Sequence, residues 1–93
     1  MIRSFDDIET ESIRNGKKSK KLPQTIQNVA RKKLRMIEAA KVIEDLRIPP
    51  GNRLEKLVGN LDGFYSIRIN AQWRIVFKFE NGGAYNVRIA DYH

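Results

Sequence analysis

The chain has 93 residues, with 18 Lys or Arg against 11 Asp or Glu, so its formal net charge is +7 at neutral pH. This length supports one modest core, which predicts a single domain over residues 1–93. Excess positive charge attracts polyanions, so RNA, DNA or an acidic protein is the expected partner. The chain has no cysteine and one histidine, His93. This excludes a disulfide framework and a zinc site, and we expect neither a metal nor a cofactor.

The sequence contains no membrane segment. No apolar run approaches the roughly 18 residues that cross a bilayer. The opening residues Met1–Phe5 are followed by acids and not by the apolar core of a signal peptide. We therefore expect a cytoplasmic protein without membrane contact.

The first elements are short. Ile2–Phe5 is predicted to be an edge strand, and Ser4 with Asp7 resembles a capping box that opens a helix ending at Arg14. Asn15 and Gly16 stop this helix. The basic loop Lys17–Lys21 then has two open readings, a solvated linker or a contact to phosphate.

A long amphipathic helix, or a pair of helices, is predicted from Pro23. Apolar residues recur there at helical spacing and should form core: Ile26, Val29, Ala30, Leu34, Ile37, Ala40 and Ile43. The basic residues Arg31, Lys32 and Arg35 fall mostly elsewhere on the wheel, which favours a solvated surface over a binding site. Ile48–Gly51 ends the helical part.

The second half of the chain predicts an antiparallel sheet. Its four short strands are separated by turn residues: Arg53–Leu57, Phe64–Asn70, Trp73–Phe79 and Ala84–Ala90. Together with the preceding helices, these strands predict an α+β fold in which N-terminal helices pack on a small, twisted antiparallel sheet.

Alternation along the strands assigns their side chains to two faces. The core-facing set should be Tyr65, Ile67, Ile69, Trp73, Ile75, Phe77, Phe79, Tyr85, Val87 and Ile89. The outward set gathers four cations and no acid: Arg68, Arg74, Lys78 and Arg88. This face is either an RNA-binding surface or simply the polar side of a basic domain.

The order of several motifs along essentially the whole chain resembles the HigB family of toxins. These motifs are the opening MIRSF of Met1–Phe5, NRLEKLVGN of Asn52–Asn60, YSIRINAQWRI of Tyr65–Ile75 and the ending Asp91–His93. The resemblance implies a RelE-like fold and ribosome-dependent cleavage of mRNA. It also implies a HigA antitoxin with a helix-turn-helix, through which operator DNA becomes an indirect partner.

The resemblance also implies candidate site residues. Arg74, directly after Trp73, matches the arginine that faces the scissile phosphate in the family. Asp91, Tyr92 and His93 match a terminal triplet tied to activity. Alternation along the last strand should turn Asp91 inward or along the sheet edge and leave Tyr92 and His93 to reach the cations around Arg74. Without the family, a C-terminal histidine is usually frayed tail and Tyr92 core filling.

One part of the family pattern differs in this chain. Glu55 and Val58 stand where other members carry a His and a Lys. The general base is therefore open between Glu55 and Asp91, and Lys56 is the candidate to replace the lost cation. This difference leaves open a changed mechanism, a slow enzyme or another target.

The implied chemistry is attack of a ribose 2′-OH on the adjacent phosphorus, which requires no metal. His93 is expected to be the general acid, because the terminal carboxylate beside it favours a protonated imidazole. Arg74 would contact phosphate oxygens in a bidentate manner, and Tyr92 would stack on a base or hydrogen-bond to phosphate. Trp73 is expected in the core. A non-catalytic RNA- or ribosome-binding module and a protein-interaction module are the alternatives.

Overall fold

The computed structural model describes residues 1–92 and has the predicted α+β architecture. Two α-helices precede the sheet, α1 (Ile8–Arg14) and α2 (Gln24–Ala39). The strands are β1 (Glu55–Lys56), β2 (Phe64–Arg68), β3 (Trp73–Glu80) and β4 (Gly83–Asp91). Short 3-10 turns lie at Ile43–Arg47, Pro50–Asn52 and Gly59–Leu61. No helix in the described part of the chain is long and apolar enough to cross a membrane.

The sheet is antiparallel in the order β1-β2-β3-β4. The N-terminal segment lies beside β4 in the parallel direction, through bridges from Ile2 to Ala84 and from Phe5 to Val87. The expected edge strand is thus present as two isolated bridges. The two α-helices pack over one face, which we call the inner face, and the opposite face is the outer face.

The start of α1 differs from the prediction. Asp7, and not Ser4, is the N-cap, since its Oδ1 accepts a hydrogen bond of 2.7 Å from the Thr10 amide. Ser4 Oγ instead accepts from the Asn86 amide at 2.8 Å and so joins the N-terminal segment to β4. The helix ends as expected, with Asn15 as C-cap and Gly16 at a positive φ of 85°.

The long helix buries most of the predicted stripe. Ile26, Ala30, Leu34 and Ile37 are buried, whereas Val29 is 40% exposed. At 100° per residue Val29 falls roughly 95° from the centre of that stripe, so it lies beyond the helix face that contacts the sheet. The helix stops at Ala39, where the backbone becomes extended at Ala40. Of the two predicted alternatives, one continuous helix through Ile43 was wrong, since Ile43 begins a separate 3-10 turn.

The basic loop between the helices is anchored at its middle residue. Ser19 is buried, its Oγ donates to Glu9 Oε1 at 2.5 Å and its amide donates to Gln27 Oε1 at 3.1 Å. The lysines on either side of it are exposed. The loop is therefore not a solvated linker along its whole length, and whether its lysines contact phosphate stays a prediction.

The outer face is not simply solvated. Val76, expected to face solvent, is fully buried there in a second small cluster with Leu57 and Ala90. Leu61 and Phe64 pack against the same cluster. The alternation of side chains was correct for β3, but the chain after β1 covers part of this face and removes it from water.

A β-bulge reverses the expected orientation of Tyr85. Val76 pairs with Arg88 and Lys78 with Tyr85, so β4 has one extra residue here, and Asn86 adopts a positive φ of 54°. Tyr85 therefore shares the outer face with Lys78, while Ala84 takes the inner position and is fully buried. A single inserted residue shifts the two-residue period, which the sequence pattern does not reveal.

Candidate functional site

Arg74 lies on the outer face, as predicted, but it is buried, with only 7% of its surface exposed. Its guanidinium donates three hydrogen bonds to neutral oxygens. Nε donates to Ser66 Oγ at 2.8 Å, and Nη2 donates to the Ser66 carbonyl at 3.3 Å and the Arg53 carbonyl at 2.6 Å. Ser66, which accepts two of these bonds, and its pairing partner Val76 are both fully buried on the same face.

The remaining nitrogen of this guanidinium points to the chemistry of the site. An arginine carries five N–H donors, two of which belong to Nη1. Within residues 1–92, Nη1 donates no hydrogen bond and has Glu55 Oε1 at 3.8 Å. The two Nη1 donors are thus the edge of the Arg74 side chain that an anion can approach.

Glu55 belongs to the same site through the register of β1. It pairs with Ser66, which places it on the outer face, and its side chain is more than half exposed. The outer face therefore also carries an acid from β1, in addition to the cations predicted on the other three strands. The site combines a buried cation with a water-accessible carboxylate.

Tyr92 completes the arrangement from the end of β4. The Arg74 Cζ lies 5.9 Å from the centroid of the Tyr92 ring, a cation-π contact, and Tyr92 remains 38% exposed. Its amide donates to the Gln72 carbonyl at 2.5 Å, which ties the chain end to the turn before β3. The prediction that Tyr92 reaches Arg74 is confirmed.

Asp91, the other described residue of the terminal triplet, lies on the opposite face from this cluster. Asp91 pairs with Trp73, on the opposite side of β4 from Arg74, and Gln72 Nε2 lies 3.2 and 3.1 Å from its two oxygens. Trp73 packs against the main core as expected. His93 lies outside the described residues.

The predicted cations do gather on one face. The register aligns Arg68 with Arg74, Val76 with Arg88, and Phe64 with Lys78. We call Arg68, Arg74, Lys78 and Arg88 the outer-face patch. Arg88 has a carboxylate partner, since its Nε is 3.9 Å from Asp6 Oδ2.

Lys56 stands apart from the outer-face patch. It pairs with Tyr65 and so points to the other side of the sheet from its neighbour Glu55. Its side chain is exposed at the edge of the sheet. The register therefore separates Lys56 from Arg74, and Val58, the other departure from the family pattern, is 82% exposed.

Two partners of Arg74 were missed in the sequence. Ser66 lies between the core-facing Tyr65 and Ile67, so alternation puts it on the outer face, and the pairing of β2 with β3 would have placed it near Arg74. Arg53 gave no signal, because its contribution is a backbone carbonyl held at φ 45° and ψ 56°. Contacts made by the main chain are invisible to residue-type arguments.

Among the described residues, the possibility of a metal site and the position of one cavity can be compared with this cluster. In the described part of the chain, no group of three His, Cys, Asp or Glu side chains lies close enough to hold a metal ion. A cavity of about 320 Å³ lies elsewhere, against α1 and α2, and is lined by Met1, Ile2, Arg14, Arg31, Leu34, Arg35 and Glu38. None of these residues belongs to the outer-face patch.

Comparison with known proteins adds sequence evidence. The family model described as "RelE-like toxin of type II toxin-antitoxin system HigB" matches residues 4–93. Toxin HigB-1 of Vibrio cholerae is 47% identical over 87 residues, which cover 92% of each chain. Endoribonuclease HigB of Proteus vulgaris is 46% identical over 41 residues, 44% of this chain and 45% of that protein.

Solved structures share the fold at low sequence identity. YafQ from Escherichia coli aligns with a TM-score of 0.65 at 11% identity, covering 98% of this chain and 91% of its own. A structure of the YoeB-YefM toxin-antitoxin complex from Staphylococcus aureus aligns with a TM-score of 0.62 at 19% identity, and the alignment covers 100% of this chain and 98% of the other. These likenesses confirm the predicted fold class.

Proposed function

Because the chain belongs to the HigB-like family of RelE-like toxins of type II toxin-antitoxin systems, we propose that it is an endoribonuclease that cleaves mRNA on the ribosome and inhibits growth. One observation carries the proposal: the Nη1 edge of Arg74 opens between Glu55 and the exposed ring of Tyr92. The name of the Proteus relative, an endoribonuclease, supports RNA as the substrate.

The proposed reaction is a transesterification within the RNA. A base removes the ribose 2′-OH proton, and the 2′-oxygen attacks the adjacent phosphorus. The bond to the 5′-oxygen breaks, and an acid donates a proton to that oxygen. The products are a 2′,3′-cyclic phosphate and a 5′-hydroxyl. The nucleophile belongs to the substrate, so the step requires no metal to generate it.

Arg74 stabilises the charge that develops on the phosphorus centre. Since Nε and Nη2 are held by Ser66 and Arg53, both contacts to phosphate oxygens come from Nη1. The buried position strengthens them, because a charge interaction is weakened less there than in water. Tyr92 offers its exposed ring to a base of the RNA.

Glu55 is the better candidate for the general base. Its carboxylate lies 3.8 Å from the nitrogen that would bind phosphate, which puts it near the attacking 2′-oxygen. Asp91 is held by Gln72 on the other side of β4. His93 remains the proposed general acid.

The proposed partners are based on the positions of these cations and on the family to which the chain belongs. Arg68, Lys78 and Arg88 would contact the RNA backbone beside Arg74, while Lys56, at the sheet edge, would reach only RNA that wraps around β1. The protein would act in the cytoplasm as one toxin domain over residues 1–93. A HigA-type helix-turn-helix antitoxin would neutralise it and link it to operator DNA.

The test uses the full chain, translating ribosomes and an mRNA with mapped cleavage positions. We expect fragments that end in a 2′,3′-cyclic phosphate, and a 2′-deoxy substitution at the attacking nucleotide should abolish the cut there. Arg74→Ala is the protein control and should cleave about 100 to 1,000 times more slowly. Fragments with 3′-hydroxyl ends, or no cleavage by the wild-type protein, would contradict the proposal.

A further inference from the structure

Arg53 has an unusual backbone conformation next to the proposed site. It follows the 3-10 turn Pro50–Asn52 and lies in the left-handed region at φ 45° and ψ 56°. Few residues other than glycine adopt this region, with Asn and Asp the main exceptions. In this conformation the Arg53 carbonyl accepts the 2.6 Å hydrogen bond from Arg74 Nη2. An exposed residue thus contributes to the site through its main chain.

Asn52 holds this backbone in place from inside the protein. Its side chain is fully buried, and its Nδ2 donates to the Leu46 carbonyl at 3.1 Å. Its Oδ1 accepts a hydrogen bond from Lys33 Nζ of α2, and its amide donates to the Pro49 carbonyl at 2.9 Å. Partial burial, followed by the charge of Lys32, lowers the pKa of Lys33, in keeping with an ammonium drawn under the surface toward Asn52.

We propose that Asn52 is a positioning residue for Arg74, acting through the left-handed backbone of Arg53. The proposal rests on the phosphate-binding role of Arg74 proposed above. The two contacts at Ser66 fix one edge of the planar guanidinium, and the Arg53 carbonyl holds Nη2 from another side. Together these contacts direct Nη1 outward.

The nature of the acceptors matches this role. All three hydrogen bonds that Arg74 donates go to neutral oxygens, which orient the guanidinium without cancelling its charge. A carboxylate in the place of the Arg53 carbonyl would neutralise the cation that the phosphate requires. Asn52 is uncharged as well. Ser66, the Arg53 carbonyl and Asn52 therefore orient the guanidinium without weakening its electrostatic attraction to the RNA.

A matched pair of substitutions at Arg53 separates the effect of its backbone conformation from the effect of its side-chain charge. Arg53→Asn and Arg53→Val both remove the guanidinium, but asparagine tolerates the left-handed region and a β-branched valine does not. We expect the Val variant to cleave mRNA about tenfold more slowly than the Asn variant at saturating substrate, with the same KM. Arg53→Ala should lie between them, and it keeps the comparison available if the Val variant does not fold.

A second measurement is independent of cleavage. The Arg74 Nε–H resonance in an NMR spectrum, assigned by its loss in Arg74→Ala, should move in Arg53→Val and stay near its wild-type position in Arg53→Asn. If the wild-type protein cleaves no RNA, the proposed function fails, and this resonance still decides whether Arg53 positions Arg74. Equal rates and equal resonances in the Asn and Val variants would overturn the inference.

Asn52 itself is tested by rescue. Asn52→Ala should slow cleavage about tenfold and move the Arg74 resonance, and adding Arg53→Gly should restore both in part, because glycine adopts a positive φ without support. A purely structural role of Asn52 predicts no rescue by glycine. Lys33→Met, which removes only the donor to Asn52 Oδ1, replaces Asn52→Ala if that variant does not fold. Unchanged rate and resonance in these variants would also contradict the proposal.

Discussion

A buried guanidinium surrounded by neutral oxygens is unfavourable in isolation. Removing a charge from water costs several kcal/mol unless hydrogen bonds and an opposite charge compensate for it. In this protein the hydrogen bonds come from Ser66 and Arg53, while the carboxylate of Glu55 is 3.8 Å from Nη1 and largely in water. Arg74 therefore keeps much of its charge for a ligand, which is the property that phosphate binding requires.

This arrangement predicts that lysine cannot replace Arg74. One ammonium has three donors on a single atom, so it cannot reach the two oxygens of Ser66, the Arg53 carbonyl and a phosphate together. We expect Arg74→Lys to cleave mRNA within about tenfold of the rate of Arg74→Ala, both far below wild type. A folded Arg74→Lys protein with wild-type activity would show that charge alone is enough.

The exposed ring of Tyr92 leads to a prediction about substrate binding. If the ring stacks on a base, Tyr92→Leu should lose about 1 to 3 kcal/mol, a rise in KM of roughly 5- to 150-fold, while Tyr92→Phe keeps the ring and most of the affinity. Steady-state cleavage of one mRNA at several concentrations measures both variants. Equal loss in the Phe and Leu variants would instead assign the role to the hydroxyl.

At the level of the strands, the unusual feature is the pairing of like charges. Arg68 lies directly across from Arg74, an arrangement that destabilises a sheet when nothing neutralises it. The bulge at Asn86 brings Tyr85 to this same face, beside Arg88. A bound polyanion would remove the repulsion, which supports an RNA-binding role for the outer-face patch.

The salt dependence of RNA binding tests this role. Each phosphate contact to single-stranded RNA contributes about 0.7 to the slope of log affinity against log salt. Arg68→Glu and Arg88→Glu should each reduce the slope by about this amount, measured by fluorescence anisotropy with an uncleavable 2′-O-methyl RNA. Lys41→Glu, an equal change of charge at an exposed residue that is not part of the patch, is the control. Equal slopes in all three variants would mean that the patch is only solvated.

Across the whole molecule, Glu38 joins three separate parts of the chain. It lies on α2, its Oε2 accepts from the Ile2 amide at 3.0 Å, and its Oε1 accepts from Arg14 Nη2 at 2.7 Å. Partial burial alone would raise the pKa of Glu38, but these hydrogen bonds and the nearby charges outweigh it and hold the pKa below its ordinary value. The charged form thus stabilises the fold.

The sign of this effect predicts a pH dependence of stability. A lowered pKa contributes stability above the unfolded-state value, about 4.3 for a glutamate, and the contribution disappears as pH falls through the folded pKa. Glu38→Gln should unfold with about 1 kcal/mol less free energy than wild type at pH 7, and the difference should shrink progressively as the pH falls below the unfolded-state value. Denaturant unfolding over a series of pH values measures it.

The control for this prediction is another glutamate. Glu44 forms an exposed ion pair with Arg47, so Glu44→Gln should change the unfolding free energy by less than about 0.5 kcal/mol. A pH-independent loss in Glu38→Gln would indicate a packing defect and not the loss of a charge.

Local patterns determined the order of the elements and the side of the sheet on which most residues lie. The helical spacing of Ile26, Ala30 and Leu34, and the alternation through β2 and β3, express periods of a few residues that each segment carries in itself. The same alternation placed Arg68, Arg74 and Lys78 together. The approach of Tyr92 to Arg74 followed too, because a strand fixes the position of its own end.

Only the tertiary structure decided what surrounds those residues. Arg74 is buried among partners from separate segments, since it donates to Ser66 on the neighbouring strand and to the carbonyl of Arg53, 21 positions away. The reversal of Tyr85 came from one extra residue in β4, and Asp7 replaced Ser4 as cap because Ser4 binds Asn86, 82 positions away. Each of these outcomes depends on contacts between distant segments, which the period of a single segment does not contain.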